Sequence, residues 1–364
     1  MSCSAATRPA CSRRRPTPSS PPCIAPLPMA AAAGARGVPR SRPSPTRRPP
    51  MKTCFILNPH SGHNLRRPWL AGFIREFIAA RSLAAELVTT TRPRHATELA
   101  QSALAAGCDR VIAVGGDGTM NEIAQALLHS PAALGLVPCG SGNGLALHLG
   151  IPTTLRDALA LAADETARVA AIDTGTANGR PFFNAMGCGF DAEISRRFNR
   201  LVRRGLAAYA RIGLAAFRAR RSEWTLIQGA GRTEALHTLL VAVANSDQYG
   251  NGARIAPGAR VDDGQLDLVA VRPVGFASAA PLIARLFLGS ISGSPRVFRL
   301  RSARFLIERA GPGLIHTDGE THETGALIEI KVHPRSLRLV VPVHSRVTAA
   351  VPIPASPTFA LPSS

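Results

Sequence analysis

Long hydrophobic runs are missing from this chain of 364 residues: no 18 apolar residues follow one another, and the best candidate, 274–291, is broken by Pro281 and Arg285. One helical crossing of a bilayer needs about 20 such residues, so any membrane contact is expected to be peripheral. Aromatic residues make up only 5% of the chain, too few for the stacking surfaces that hold single-stranded nucleic acid. The formal charge of +20 therefore needs another explanation, and part of it is local: residues 1–50 hold nine arginines with no lysine and no acid. No nucleic-acid partner is expected. The seven cysteines are scattered without a C-x-x-C pair, which excludes a disulfide framework or zinc site and suits a reducing cytoplasm. Neither H-E-x-x-H nor G-x-S-x-G occurs, so zinc-protease and serine-triad chemistry have no support.

What is present divides the chain into segments. Residues 1–50 carry twelve of the thirty prolines and no periodic apolar face, and read as a disordered or untranslated Pro/Arg-rich segment. From Met51 short β-branched runs alternate with helical periodicity, the pattern of a parallel sheet flanked by helices. Strands are expected at 54–57, 86–89, 110–114 and 134–137, and helices at 97–106 and 155–163. Two more helices follow from the apolar spacings of Leu70, Phe73, Ile74, Phe77 and Ile78 and of Met120, Ile123, Ala124, Leu127 and Leu128. After about residue 170 the period changes to two. Asn178-Gly179 marks a hairpin between 174–177 and 181–185, further strands are expected at 239–244, 266–271, 297–308, 326–332 and 337–341, and helices near 192–220 and 276–289. The expected organisation is an α/β nucleotide-binding domain over 51–170, a mostly-β sandwich domain for the substrate over 171–345, and a disordered tail over 346–364.

The chemistry centres on Gly115-Gly116-Asp117-Gly118-Thr119, between a buried strand and an amphipathic helix. Glycines there let backbone N–H groups approach a phosphate, and the helix N-terminus adds positive potential. An aspartate in such a loop repels a bare phosphate unless a cation is shared, so Asp117 implies Mg²⁺. The other reading is a tight strand-to-helix turn with Asp117 as its cap. Two more loops open at the same sheet edge, where α/β folds bind ligands: Asn58-Pro59-His60-Ser61-Gly62 and Gly140-Ser141-Gly142-Asn143. Their amide and hydroxyl side chains, Asn58 and Asn143 among them, suit phosphate and ribose oxygens. Asp318-Gly319 and Asp263-Gly264, by themselves, read as ordinary turns.

Taken in order, Asn58 to Gly62, Gly115 to Thr119, Gly140 to Asn143 and Asp318-Gly319-Glu320 resemble the four motifs of the diacylglycerol kinase catalytic domain family, which includes bacterial lipid kinases and sphingosine and ceramide kinases. The resemblance runs from about Met51 to Val343. It implies a kinase that uses ATP and Mg²⁺ to phosphorylate a lipid hydroxyl. By that resemblance ATP meets Thr90, the loop Gly115, Gly116, Asp117, Gly118, Thr119 and Asn121, and Ser141, with Arg204 near its phosphates. Glu320 serves as general base, with Asp318 supporting the metal. Asp117 and Asp173 join the magnesium network, Asp263 matches a loop that holds a structural magnesium, and Asp191 matches an acid near the lipid head group. In one respect the chain departs from the family: many bacterial members have an acid after the third-loop Asn, whereas Gly144 stands here. That leaves the acceptor lipid open.

Between Asp191 and Trp224 nine arginines accompany an apolar stripe at helical spacing. Such a helix either lies on an anionic membrane or docks on its own protein with a solvated arginine face. The expected setting is the cytoplasm, peripheral at the inner membrane surface, with a homodimer among the expected states. Two other functions share these features: an NAD kinase, which has the same Gly-Gly-Asp-Gly-Thr loop, and a catalytically silent lipid- or nucleotide-binding protein.

Overall fold

A computed structural model describes residues 50–199, 217–218 and 220–348. The first lobe is built as the alternation demands: β1 (Thr53–Leu57), α1 (Leu70–Ala80), β2 (Ala85–Thr89), α2 (His95–Ala105), β3 (Arg110–Gly115), α3 (Asp117–Leu127), β4 (Ala133–Pro138), α4 (Gly144–Leu149) and α5 (Leu155–Ala163). The four strands are parallel in the order β2-β1-β3-β4. β1 and β3 are buried along their whole length because helices cover both faces. Alternate residues sort to the two sides. Phe55, Leu57, Ile112 and Val114 pack with Leu70, Ile74 and Phe77 of α1 and Leu159 of α5. Cys54, Ile56, Val111 and Ala113 pack with Ala100 of α2 and Ile123 of α3. Burial pushes the Cys54 thiol up to about 12, so it behaves as a small apolar residue.

The second lobe contains β5 (Val169–Ala177), β6 (Arg180–Phe182), β7 (Ala185–Gly189), α6 (Phe190–Asn199), β8 (Glu223–Gly229), β9 (Arg232–Thr238), β10 (Leu240–Ala244), β11 (Leu266–Val271), α7 (Phe276–Phe287), β12 (Val297–Ser302), β13 (Arg304–Arg309), β14 (Gly313–Thr317), β15 (Glu320–Thr324) and β16 (Leu327–Val340). Six strands form an antiparallel sheet, β12-β11-β10-β7-β14-β15. The opposing sheet is continuous with the first lobe: β4 pairs with β16, which leads on to β13, β8 and β9, while β5 and β6 branch from β16. Between the sheets lie Phe182, Met186, Val241, Leu268, Phe305, Ile307, Ile315 and Ile330. The Asn178-Gly179 turn forms as expected, with both residues at positive φ (47° and 78°), the backbone of a type I′ hairpin.

The structure departs from the sequence pattern in four places. The single strand expected over 297–308 breaks at Ala303 into β12 and β13, which belong to opposite sheets; the core-facing apolar residues move from even positions (Phe298, Leu300) to odd ones (Phe305, Ile307), a shift of phase that marks the corner. The two strands expected at 326–332 and 337–341 are one element, β16, interrupted by an irregularity between His333 and Leu337 that absorbs Pro334. The β8–β9 hairpin turns on Ala230-Gly231 at φ 49° and 71°, a pair without the usual Asn or Asp signal. Asp318-Gly319 is the turn of a β14–β15 hairpin, whose strands the pattern did not show because Glu320–Thr324 is entirely polar and only partly covered. The helix expected near 192–220 is described as α6 to Asn199; 200–216, the segment before residue 50 and the tail beyond residue 348 lie outside the described residues.

Phe305 is fully buried between the two sheets. Phe305→Ala is expected to cost roughly 3–5 kcal/mol, the range for deleting a buried aromatic ring. The midpoint of urea unfolding followed by far-UV circular dichroism reads that loss.

Candidate functional site

The carboxyl edge of the parallel sheet is where β1, β3 and β4 each give way to a glycine-containing loop. These loops are interlocked. Asn58 Nδ2 donates to Thr119 Oγ1 at 3.0 Å, and Gly116 N–H donates to Ser61 Oγ at 2.6 Å. The Gly116 and Gly140 backbones touch, so that a Cβ on Gly140 would sit 2.7 Å from Gly116 Cα. Glycine is required here for loop to lie against loop, in addition to any approach of phosphate. Asn143 closes its own loop, accepting from Gly140 N–H at 3.1 Å and donating to Gly140 O at 2.8 Å.

Asp117 ties its own loop, the second, to the third. Its Oδ2 accepts from Asn143 N–H at 2.8 Å and its Oδ1 from Gly144 N–H at 3.1 Å. Burial pushes this carboxyl above the ordinary carboxylate range, and the two N–H groups pull the other way. Gly116, the N-cap of α3, brings no side-chain acceptor to the helix start, which leaves that end available to an anion. Gly118 and Ser141 are exposed at the mouth, while Thr90 is buried at the end of β2, its N–H on Leu57 O at 2.9 Å.

The second lobe enters this edge through the β14–β15 turn. Asp318, at φ 49°, accepts from the N–H groups of Phe183, Asn184 and Ala185 at 2.8, 2.9 and 2.9 Å, and from Asn121 Nδ2 at 2.9 Å. Burial raises its pKa, against the pull of those backbone donors. Four donors and no acceptor among these contacts suit the ionised form. Asn121 stands one helical turn beyond Asp117, so the turn carrying Glu320 is delivered to the glycine-loop edge. Glu320 itself is exposed, with Arg94 Nη2 at 3.9 Å.

The side chains of Asp173 and Asp263 have partners of their own: Asp173 accepts from Gly264 N–H at 2.6 Å and Arg335 N–H at 2.8 Å, and Asp263 pairs with Arg301. The Asp173 backbone is tied to the segment that holds Asp318, since Asn245 Nδ2 donates to both Asp173 O and Phe183 O at 2.8 Å, and Phe183 N–H donates to Asp318. Among the described residues no three His, Cys, Asp or Glu side chains converge as a metal cage. Arg204 lies outside the described residues.

Asp191, at the start of α6, is held by Tyr249, whose hydroxyl donates to Oδ2 at 2.5 Å, and it has His316 Nε2 3.0 Å from the same oxygen. His316 Nδ1 accepts from Gly319 N–H at 3.3 Å, linking Asp191 to the Asp-Gly-Glu turn. Tyr249 belongs to a strap that the sequence did not announce. Leaving β10, Asn245 donates to Asp173 O and Phe183 O, Ser246 to Asn184, and Asp247 pairs with His148 of α4 at 2.7 Å. Asn251 N–H then donates to Gly142 O at 3.1 Å. A Cβ at position 144 would lie 2.7 Å from Asn184 Nδ2 and 2.8 Å from Tyr249 O. The strap fills the space that an acid after Asn143 would need, which explains the glycine there. Its only signal in the sequence was a run of polar residues, Asn245 to Gln248, directly after an apolar strand.

Asp318→Asn turns an NH₂ group toward at least one of the four donors. We expect a loss of ~1–3 kcal/mol per orphaned buried donor, seen as a lower unfolding midpoint, with turnover falling because the Glu320 turn is no longer anchored. Tyr249→Phe removes only the hydroxyl. It should raise KM for the phosphoryl acceptor several-fold and leave KM for the nucleotide unchanged, as measured by steady-state kinetics.

Comparison with known proteins agrees with this geometry. Residues 52–177 match the diacylglycerol kinase catalytic domain, and residues 184–341 match the YegS C-terminal NAD kinase beta sandwich-like domain. A probable lipid kinase YegS-like of Pseudomonas fluorescens is 33% identical over 280 residues, 75% of this chain and 91% of that protein. A diacylglycerol kinase of Bacillus subtilis is 27% identical over 272 residues, 73% of this chain and 88% of its own. The crystal structure of a putative diacylglycerol kinase from Bacillus anthracis shares the fold with a TM-score of 0.66 at 24% identity, over 80% of this chain and 98% of that one. With both lobes matched in order, the chain belongs to the diacylglycerol kinase catalytic domain family, in company with the probable YegS-like lipid kinases.

Proposed function

We propose that this chain is a lipid kinase that transfers the γ-phosphoryl group of ATP to a lipid hydroxyl. The observation that carries the reading is the docking of the Asp318-Gly319-Glu320 turn on the phosphate-loop edge through Asn121, which sets an exposed carboxylate beside an open helix N-terminus. In this reading Thr90, Gly118, Thr119, Ser141 and the start of α3 receive the nucleotide. Asn58 and Asn143 hold the loops that surround it. Glu320 takes the proton from the lipid hydroxyl as its oxygen bonds to the γ-phosphorus and the bond to the β-phosphate oxygen breaks, leaving ADP.

The donor set suits Mg²⁺ bound jointly by protein and phosphates, since this ion is commonly held by one or two carboxylates plus phosphate oxygens. Asp117 and Glu320 are the acids at this edge; Asp318 is occupied by its four donors. When bound, the ion neutralises charge on the transferring group. Asp191, with one oxygen held by Tyr249, faces the acceptor. Asp173, on Gly264 N–H, and Asp263, paired with Arg301, form a further acidic pair, and a structural ion beside them is a distinct proposal. No helix among the described residues is long and apolar enough to cross a membrane, so the lipid is reached by peripheral contact, in this reading at the inner membrane surface.

The test is transfer of labelled γ-phosphate from ATP to diacylglycerol, phosphatidylglycerol, sphingosine, ceramide and NAD. At least one lipid is expected to be labelled, transfer should stop on chelation of divalent ions, and Glu320→Gln should lower kcat by ~10²–10⁴-fold with little change in KM for ATP. Labelling of NAD with no lipid labelled would overturn the reading.

A further inference from the structure

Helix α7 has two apolar faces, and only one is used. Leu282 and Leu286 pack on the cluster around Ala185, Ala242 and Val269. About 100° around the helix, Phe276, Ala280, Ile283 and Phe287 recur at i, i+4, i+7 and i+11. This second stripe faces solvent: Phe276 is 58% exposed, Ile283 55% and Phe287 50%, and Leu288 just beyond is 78% exposed. No residue of the helix is buried. A surface helix needs one apolar face to dock, so a second that is left wet calls for a partner.

The charge around it selects that partner. Between Asp267 and Glu308 the sequence has six arginines and no acid, and between Glu193 and Glu223 nine arginines and no acid; Arg196, Arg197, Arg299, Arg301 and Arg304 are paired with acids outside those stretches, while Arg285 is exposed on α7 itself. At the N-terminal end of the stripe the Arg220 guanidinium stands 5.3 Å from the Phe276 ring centre, and Arg218 and Arg221 are exposed beside it. A second copy of the chain, paired about a two-fold axis, would set these arginines against themselves. An anionic lipid surface complements both the stripe and the charge. Aromatic rings connect the stripe to the acceptor side of the site: Phe276 lies 5.0 Å from Phe217, which lies 6.2 Å from Phe190, the neighbour of Asp191.

We propose that Phe276, Ile283, Phe287 and Leu288, with Arg218, Arg220 and Arg221, dock on an anionic bilayer and bring the Asp191 side of the site to the lipid. The proposal deepens the lipid-kinase reading and rests on it for its purpose, although docking can be measured without turnover. Sedimentation of the full chain with phosphatidylglycerol vesicles should exceed that with phosphatidylcholine vesicles. Removing arginines near a charged surface weakens binding on the order of fivefold each, so Arg218→Gln with Arg221→Gln should lose about 25-fold. Ile283→Ser with Phe287→Ser should also release the protein, while phosphorylation of a short-chain, water-soluble diacylglycerol stays at the wild-type rate.

Serine variants that sediment as well as wild type, or wild type that ignores both vesicles, overturn the proposal. So does a wild-type dimer in analytical ultracentrifugation that the serine pair converts to monomer, since the stripe then belongs between copies. Vesicle binding that depends on these residues, with no lipid phosphorylated in any form, upholds the docking surface and sinks the kinase reading instead.

Discussion

The Asp318 carboxylate is the contact on which the arrangement of the two lobes turns. It takes three backbone N–H groups from the segment entering β7 and a fourth hydrogen from Asn121 on α3. A buried carboxylate without donors costs several kcal/mol, so the segment 183–185, the β14–β15 turn and α3 must come together for any of them to be satisfied. The same geometry that answers the burial cost sets Glu320, two residues on, at the rim of the glycine loops. In the proposed reading, structural and catalytic demands on this turn are therefore one demand.

Around that anchor the site is built by backbone-to-backbone contact more than by side chains. Gly116 against Gly140, Gly62 against Cys139 and Gly250 against Gly142 are approaches that a Cβ would prevent. Asp117 then holds Asn143 and Gly144 by their N–H groups, and the strap Asn245 to Asn251 closes over them from the second lobe. Gly144 makes the coupling visible: it is glycine because Tyr249 and Asn184 occupy the space beside it. The missing acid is thus traceable to a neighbouring segment some hundred positions away in sequence.

The acids fall into two groups by their partners. Asp117, Asp318 and Glu320 gather with Asn121. Asp173, Asp262 and Asp263 lie near one another, and those neighbours raise the Asp173 carboxyl further after burial has done so. Sequence motifs cannot separate these groups, since an Asp-x-Gly does not show which distant groups its carboxylate will meet.

The sequence by itself determined the α/β order of the first lobe, the change of period near residue 170 and the three glycine loops, because strand and helix periodicities and glycine's backbone freedom are local properties. It also determined that Asp318 and Glu320 sit on a turn. Only the tertiary structure decided that 297–308 folds into two sheets, that 327–340 is one strand, and that Asp173 accepts from the N–H groups of Gly264 and Arg335, since register and strand order depend on pairing across long separations. The strap was equally out of reach. Its residues are ordinary polar side chains whose meaning comes from partners such as His148 and Asp191, 99 and 58 positions away, and no local pattern encodes which distant groups a loop will meet.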